Sequence, residues 1–244
     1  MDRTTAGTSR PPARTTHGLS RAWHLGLAVV VGASLLLQLV LVLAGGTDAS
    51  STSGDEGAPL GVRLVRLASY FTIQSNVLVL VAAVSLARDP ARDGPVWRVL
   101  RLDALLGISV TGLVFGAVLS AQVDPTGAAW WANAGLHRVS PVACVVGWLL
   151  LGPRPRVDGR TLLGAAAWPV AWIAYTFGHG ALTGWYPYPF LDAGERGYPA
   201  ALLATLLVVV LAVVLGAAAA LLDARLRPRP GAGRGTRSSA ATAG

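Results

Sequence analysis

The sequence predicts an all-α polytopic membrane protein, a bundle of six transmembrane helices with both termini in the cytoplasm. Of its 244 residues 53% are hydrophobic and 13% charged, a membrane composition. Six apolar runs, roughly Trp23 to Ala44, Ala68 to Ala87, Val99 to Ala121, Leu136 to Leu151, Thr161 to Leu182 and Ala200 to Leu222, are each 16 to 23 residues long. About 20 residues at about 1.5 Å each cross the hydrocarbon. All 20 basic residues are arginine, and sixteen fall in alternate segments: the N-terminal tail, the second loop, the fourth loop and the C-terminal tail. Those sides are cytoplasmic by the positive-inside rule. Three parts follow: a basic tail over 1–22, a transmembrane domain over 23–222 and a disordered basic tail over 223–244.

The first run follows basic residues and precedes small ones, as a cleaved signal would. Its apolar core is longer than the about 7 to 15 residues of such signals, so it reads as a permanent helix. The loop after it, "GGTDASSTSGDEGAP", is flexible by composition.

The second run opens on "SYFTIQSNVLVL", Ser69 to Leu80. At about 100° per residue Ser69, Thr72 and Asn76 share one arc, with Ser75 beside it and Gln74 on another face. Such a stripe serves as interhelical glue, at roughly 0.6 to 2 kcal/mol per hydrogen bond, or as a site. The third run carries no comparable polar group at that depth.

The fourth run is preceded by Trp130 and Trp131, which read as interfacial anchors. Asn133, His137, Cys144 and Trp148 then recur on one face. Pro141, four residues after His137, cannot donate to the His137 carbonyl, so a local kink is expected there. A neutral imidazole in apolar surroundings has one ring nitrogen free to act as a base. Cys144 is the only cysteine, which leaves no disulfide within the chain and no cysteine-based metal cluster.

The fifth run presents Trp168, Trp172, Tyr175, Thr176 and His179 along one face. It leads into "GWYPYPFLD", Gly184 to Asp192, where two prolines stiffen a turn that could wall a cavity. The sixth run is plain hydrocarbon. Thr72, His137, His179 and Asp192 all fall at the outer end of the bundle, on different helices and loops.

"FTIQSN", "LHRVSP" and "GWYPYPFLD", in this order, resemble the androgen-induced-gene family of six-helix membrane proteins, in its bacterial branch. The resemblance covers roughly Ala68 to Pro199. It implies the six-helix fold and hydrolysis within the membrane, since animal members cleave fatty-acid esters of hydroxy fatty acids with a threonine nucleophile and a histidine. The family's threonine matches Thr72 and its histidine matches His137.

The chemistry also stands on the residues. A threonine hydroxyl is a weak nucleophile without an adjacent base, and His137 can supply that base. Thr72 and His137 are therefore the catalytic candidates. Ser75, Asn76, Asn133, His179, Trp185, Tyr186 and Asp192 are the candidates for binding substrate or an oxyanion. The expected substrate is a membrane lipid or acyl ester, with no cofactor and no metal, at the extracytoplasmic side of the cell membrane. The net charge of +8 is explained by topology and does not indicate nucleic acid. Other classes remain open: a non-catalytic multi-pass membrane protein whose polar groups are interhelical glue, a small-solute or lipid transporter, and a haem or metal protein. A transporter should show a polar path through the bilayer and an internal repeat, neither of which is evident. A haem or metal held by His137 and His179 lacks a third ligand.

Overall fold

Runs of Leu, Val and Ala in lipid can satisfy their backbone only along their own chain, so they fold as helices. A computed structural model, which describes residues 13–45, 57–152 and 157–226, holds helices and no strand among those residues. In chain order they are α1 (Ala13–Leu43), α2 (Leu60–Ser69), α3 (Phe71–Arg88) and α4 (Pro95–Val114), which ends in a π-turn (Phe115–Leu119). Then come α5 (Gly127–Ala134), a second π-turn (Gly135–Val139), α6 (Ser140–Leu151), α7 (Gly159–Thr183), a 3-10 turn (Pro189–Leu191), α8 (Ala193–Arg196) and α9 (Tyr198–Leu226).

Among the described residues five stretches are long and apolar enough to cross a membrane: His17–Leu43, Phe71–Arg88, Pro95–Leu119, Gly127–Leu151 and Tyr198–Leu226. The chain is an integral membrane protein. The fifth apolar run forms α7, whose 25 residues are long enough but fall short in apolarity. Its two tryptophans, tyrosine, proline and glycines lower its hydropathy.

Other boundaries differ from the apolar runs. α1 begins well before Trp23, and α9 continues through Arg225 to Leu226. The remaining basic tail, the N-terminal segment up to residue 12, most of the loop between α1 and α2, Arg154 and Arg156 lie outside the described residues. The second run is two helices, because Tyr70 takes an extended backbone at ψ 126° and separates α2 from α3. The disturbance expected at Pro141 takes the form of the second π-turn, in which Ser140 N–H donates to the Gly135 carbonyl. π-turns occur often at functional sites.

α4 lies at the centre, packed against α3, α6, α7 and α9, while α1 packs against α3, α5 and α6. A lower core gathers Leu27, Val31, Val79, Leu86, Leu102, Ile108 and Trp148. A second cluster gathers Tyr70, Phe115, Leu119, Tyr188 and Leu191. Close approach depends on glycine: a Cβ at Gly112 would stand 2.8 Å from Pro141 Cβ, so α4 and α6 can touch there only without a side chain.

Candidate functional site

The break at Tyr70 makes Thr72 a first-turn residue of α3. Ile73 and Gln74 donate their N–H groups to the Tyr70 carbonyl at 3.1 and 3.2 Å. The Thr72 N–H precedes the first intrahelical bond, as the first N–H groups of any helix do. It donates instead to the Tyr188 hydroxyl at 3.1 Å. The Thr72 hydroxyl is 3.2 Å from the same Tyr188 oxygen and 3.3 Å from His137 Nε2. Thr72 and His137 are each 3% exposed, so this contact is shielded from bulk water.

His137 sits in the second π-turn, with Nδ1 3.3 Å from the Asn133 carbonyl oxygen. One tautomer fits both contacts: Nδ1–H donates to Asn133 O and Nε2 accepts from the Thr72 hydroxyl. Phe115 stacks on the imidazole with centroids 4.1 Å apart and planes at 23°. The ring is therefore held from its face and from one edge, with the other edge turned to Thr72.

The remaining candidates separate into supports and bystanders. Asn76 Nδ2 donates to the Thr72 carbonyl at 2.8 Å and the Leu136 carbonyl at 3.2 Å, tying α3 to the turn that carries His137. Ser75 accepts from Thr111 at 3.4 Å and so faces α4. The Asn133 side chain is buried, while its carbonyl is the group that meets His137. His179 lies against Tyr175 and Trp185 and pairs with Thr183, a setting separate from that of His137. Trp185 packs edge-on against Tyr70 with Arg66 over its ring, and Tyr186 packs against Phe177. Asp192 caps α8 by accepting from the N–H groups of Gly194 and Glu195.

Tyr188 is the site residue that sequence reasoning missed. Its only signal was membership of "GWYPYPFLD", where four aromatics compete for the inward position. Nearby, Trp168 Nε1 donates to Gln74 Oε1 at 2.8 Å and Trp172 Nε1 donates to the Ser69 carbonyl at 2.9 Å, fastening α7 to α2 and α3. Below Thr72 a half-enclosed apolar slot of about 90 Å³ runs between α4, α7 and α9.

No protein-family model matches the chain, and neither a characterised protein nor a solved structure matches it significantly. A shielded hydroxyl bonded to an imidazole, with a phenol and a helix-start N–H beside it, is equipped for acyl transfer.

Proposed function

We propose that the protein is a six-span cell-membrane hydrolase of lipid esters, with Thr72 as nucleophile and His137 as base near the extracytoplasmic face. The observation that carries this is the buried contact of 3.3 Å between Thr72 Oγ1 and His137 Nε2. Supporting it, the three motifs that resemble the androgen-induced-gene family each contribute one side chain to the cluster: Thr72, His137 and Tyr188. α7 serves as the sixth span, since its indole N–H groups are satisfied by α2 and α3. The arginine asymmetry puts both termini in the cytoplasm.

In the first step Thr72 Oγ1 attacks the ester carbonyl carbon while His137 Nε2 takes the hydroxyl proton. The Thr72 N–H and the Tyr188 O–H are the donors for the resulting oxyanion, and the first turn of α3 adds the positive end of its dipole. At rest these two donors are held by each other and by Thr72 Oγ1, and they turn to the oxyanion as it forms; Ser75 points instead to Thr111 of α4, and Asn76 Nδ2 to two backbone carbonyls. The carbon–oxygen bond to the alcohol breaks and the departing oxygen takes the proton back from Nε2. Water, deprotonated by the same nitrogen, then attacks the acyl-threonine carbonyl; the bond to Thr72 Oγ1 breaks, Nε2 returns its proton to that oxygen, and the acid leaves.

The test is ester hydrolysis and melting temperature for Thr72→Ser, Thr72→Val and His137→Ala, all in membranes. Serine retains part of the rate, and the other two lose about 10³-fold or more while staying folded. An active Thr72→Val protein ends the hydrolase reading. Orientation has its own check: a reporter active only outside the cytoplasm, fused after Arg237, stays silent.

A further inference from the structure

We propose that the slot between α4, α7 and α9 is the acyl-chain site of this hydrolase, entered sideways from the lipid and long enough for about eight carbons. The proposal rests on the catalytic reading above and adds what the substrate must look like.

The slot is continuous with the reacting group, because Thr72 and Tyr188 are part of its lining at the outer end. Its inner end is formed by Val110 of α4, Pro169 of α7 and Ala212 of α9. Gly107 of α4 stands against Trp168 of α7, and Leu106 of α4 stands beside Gly216 of α9, a register that brings Val110, Pro169 and Ala212 to similar depth as a floor. Thr205 and Ala212 mark the two ends along α9. Seven residues of helix are about 10 Å, room for about eight methylenes at about 1.3 Å each.

Hydrocarbon suits this space better than water does. A buried water needs two to four polar partners. The slot has hydroxyls from Thr111, Thr176 and Thr205 below Thr72, and two of those already donate elsewhere, Thr111 to Ser75 at 3.4 Å and Thr205 to the Ala201 carbonyl at 2.8 Å. Everything else on its walls is apolar apart from the tips of Trp172 and Tyr188. α7 and α9 both pack on α4, and they meet one another only beyond the slot, Phe177 against Tyr198 on one side of it and Leu162 beside Gly216 on the other. The open side of the slot therefore lies between them, where a chain can slip in from the surrounding bilayer without leaving the apolar phase. An ester so seated has its carbonyl at Thr72 and its alcohol portion toward the outer interface.

The experiment uses the full chain in liposomes and a series of 4-nitrophenyl esters from acetyl to palmitoyl. Wild-type rates should peak near octanoyl. Ala212→Phe raises the floor and should lower the ratio of decanoyl to butyryl hydrolysis at least tenfold, while Val213→Phe, at a neighbouring position that is 65% exposed, leaves the ratio as it is. An unchanged ratio in an active Ala212→Phe protein overturns the slot and spares the hydrolase. If the wild type cleaves no ester, the hydrolase reading falls and the slot is judged by labelling alone. For that, a fatty acid with a diazirine at its tail is applied to the Thr72→Val protein. Label concentrated at the slot residues Ile173 and Val209, and reduced several-fold by Ala212→Phe, supports the site. Label spread evenly over lipid-facing positions such as Val213 and indifferent to Ala212→Phe overturns it.

Discussion

Phe115 stacks on His137, and each of the two rings projects from a π-turn, one ending α4 and the other joining α5 to α6. The departures from α-helical geometry thus meet at the imidazole. Phe115→Leu keeps most of the volume and should cost less than about 1.5 kcal/mol of stability. It removes the flat surface that sets the ring plane, and kcat on an acetyl ester, which does not reach into the slot, should fall about tenfold with little change in KM. Equal kcat in the two proteins would show that Asn133 alone orients the ring.

Tyr188 holds both the hydroxyl and the N–H of Thr72. Tyr188→Phe deletes one donor to the oxyanion and leaves the rest of the cluster in place, so hydrolysis should drop about 10² to 10³-fold. Thr72→Ser in the same background should add much less than its separate effect, because both changes act on one step. Fully multiplicative losses would place Tyr188 outside that step.

Two glycines of α7 make a paired test of packing. The ring of Tyr186 occupies the place a Cβ would take on Gly180, whereas nothing stands within 4 Å of such a Cβ on Gly178. Gly180→Ala should destabilise by about 1 to 3 kcal/mol. Gly178→Ala should be neutral or stabilise by up to about 1 kcal/mol through helix propensity. Melting temperatures in one detergent decide between them, and similar shifts for both would mean that the turn after α7 yields freely.

Thr72 and His137 were legible because each is a reactive group set in an otherwise apolar helix, where burial without purpose is costly. The direction of their neighbours was not legible. Thr72, Ser75 and Asn76 are all buried, yet Ser75 meets α4 and Asn76 meets the turn before α6. A helix enclosed on several sides has no single inward face, so a polar stripe does not say which partner each residue finds. Tyr188 was hidden for a different reason. Which aromatic of "GWYPYPFLD" points inward depends on the 3-10 turn and on Gly184, whose left-handed backbone (φ 71°) ends α7. Aromatic composition is blind to both. The six apolar runs were legible as runs, but Tyr70 splits the second, and it is this break that brings Thr72 to a helix start.

The indole bonds from α7 also bear on how the protein is made. Trp168 and Trp172 rely on Gln74 and Ser69, which precede them by 94 and 103 residues. In the six-span arrangement α7 is the segment that a translocon would release into lipid least readily. Its partners have already left the ribosome when it emerges, so α7 enters a bilayer in which its polar edges have somewhere to go. Gln74→Leu, harmless to the apolarity of α3, would then delay the integration of a helix synthesised long after it.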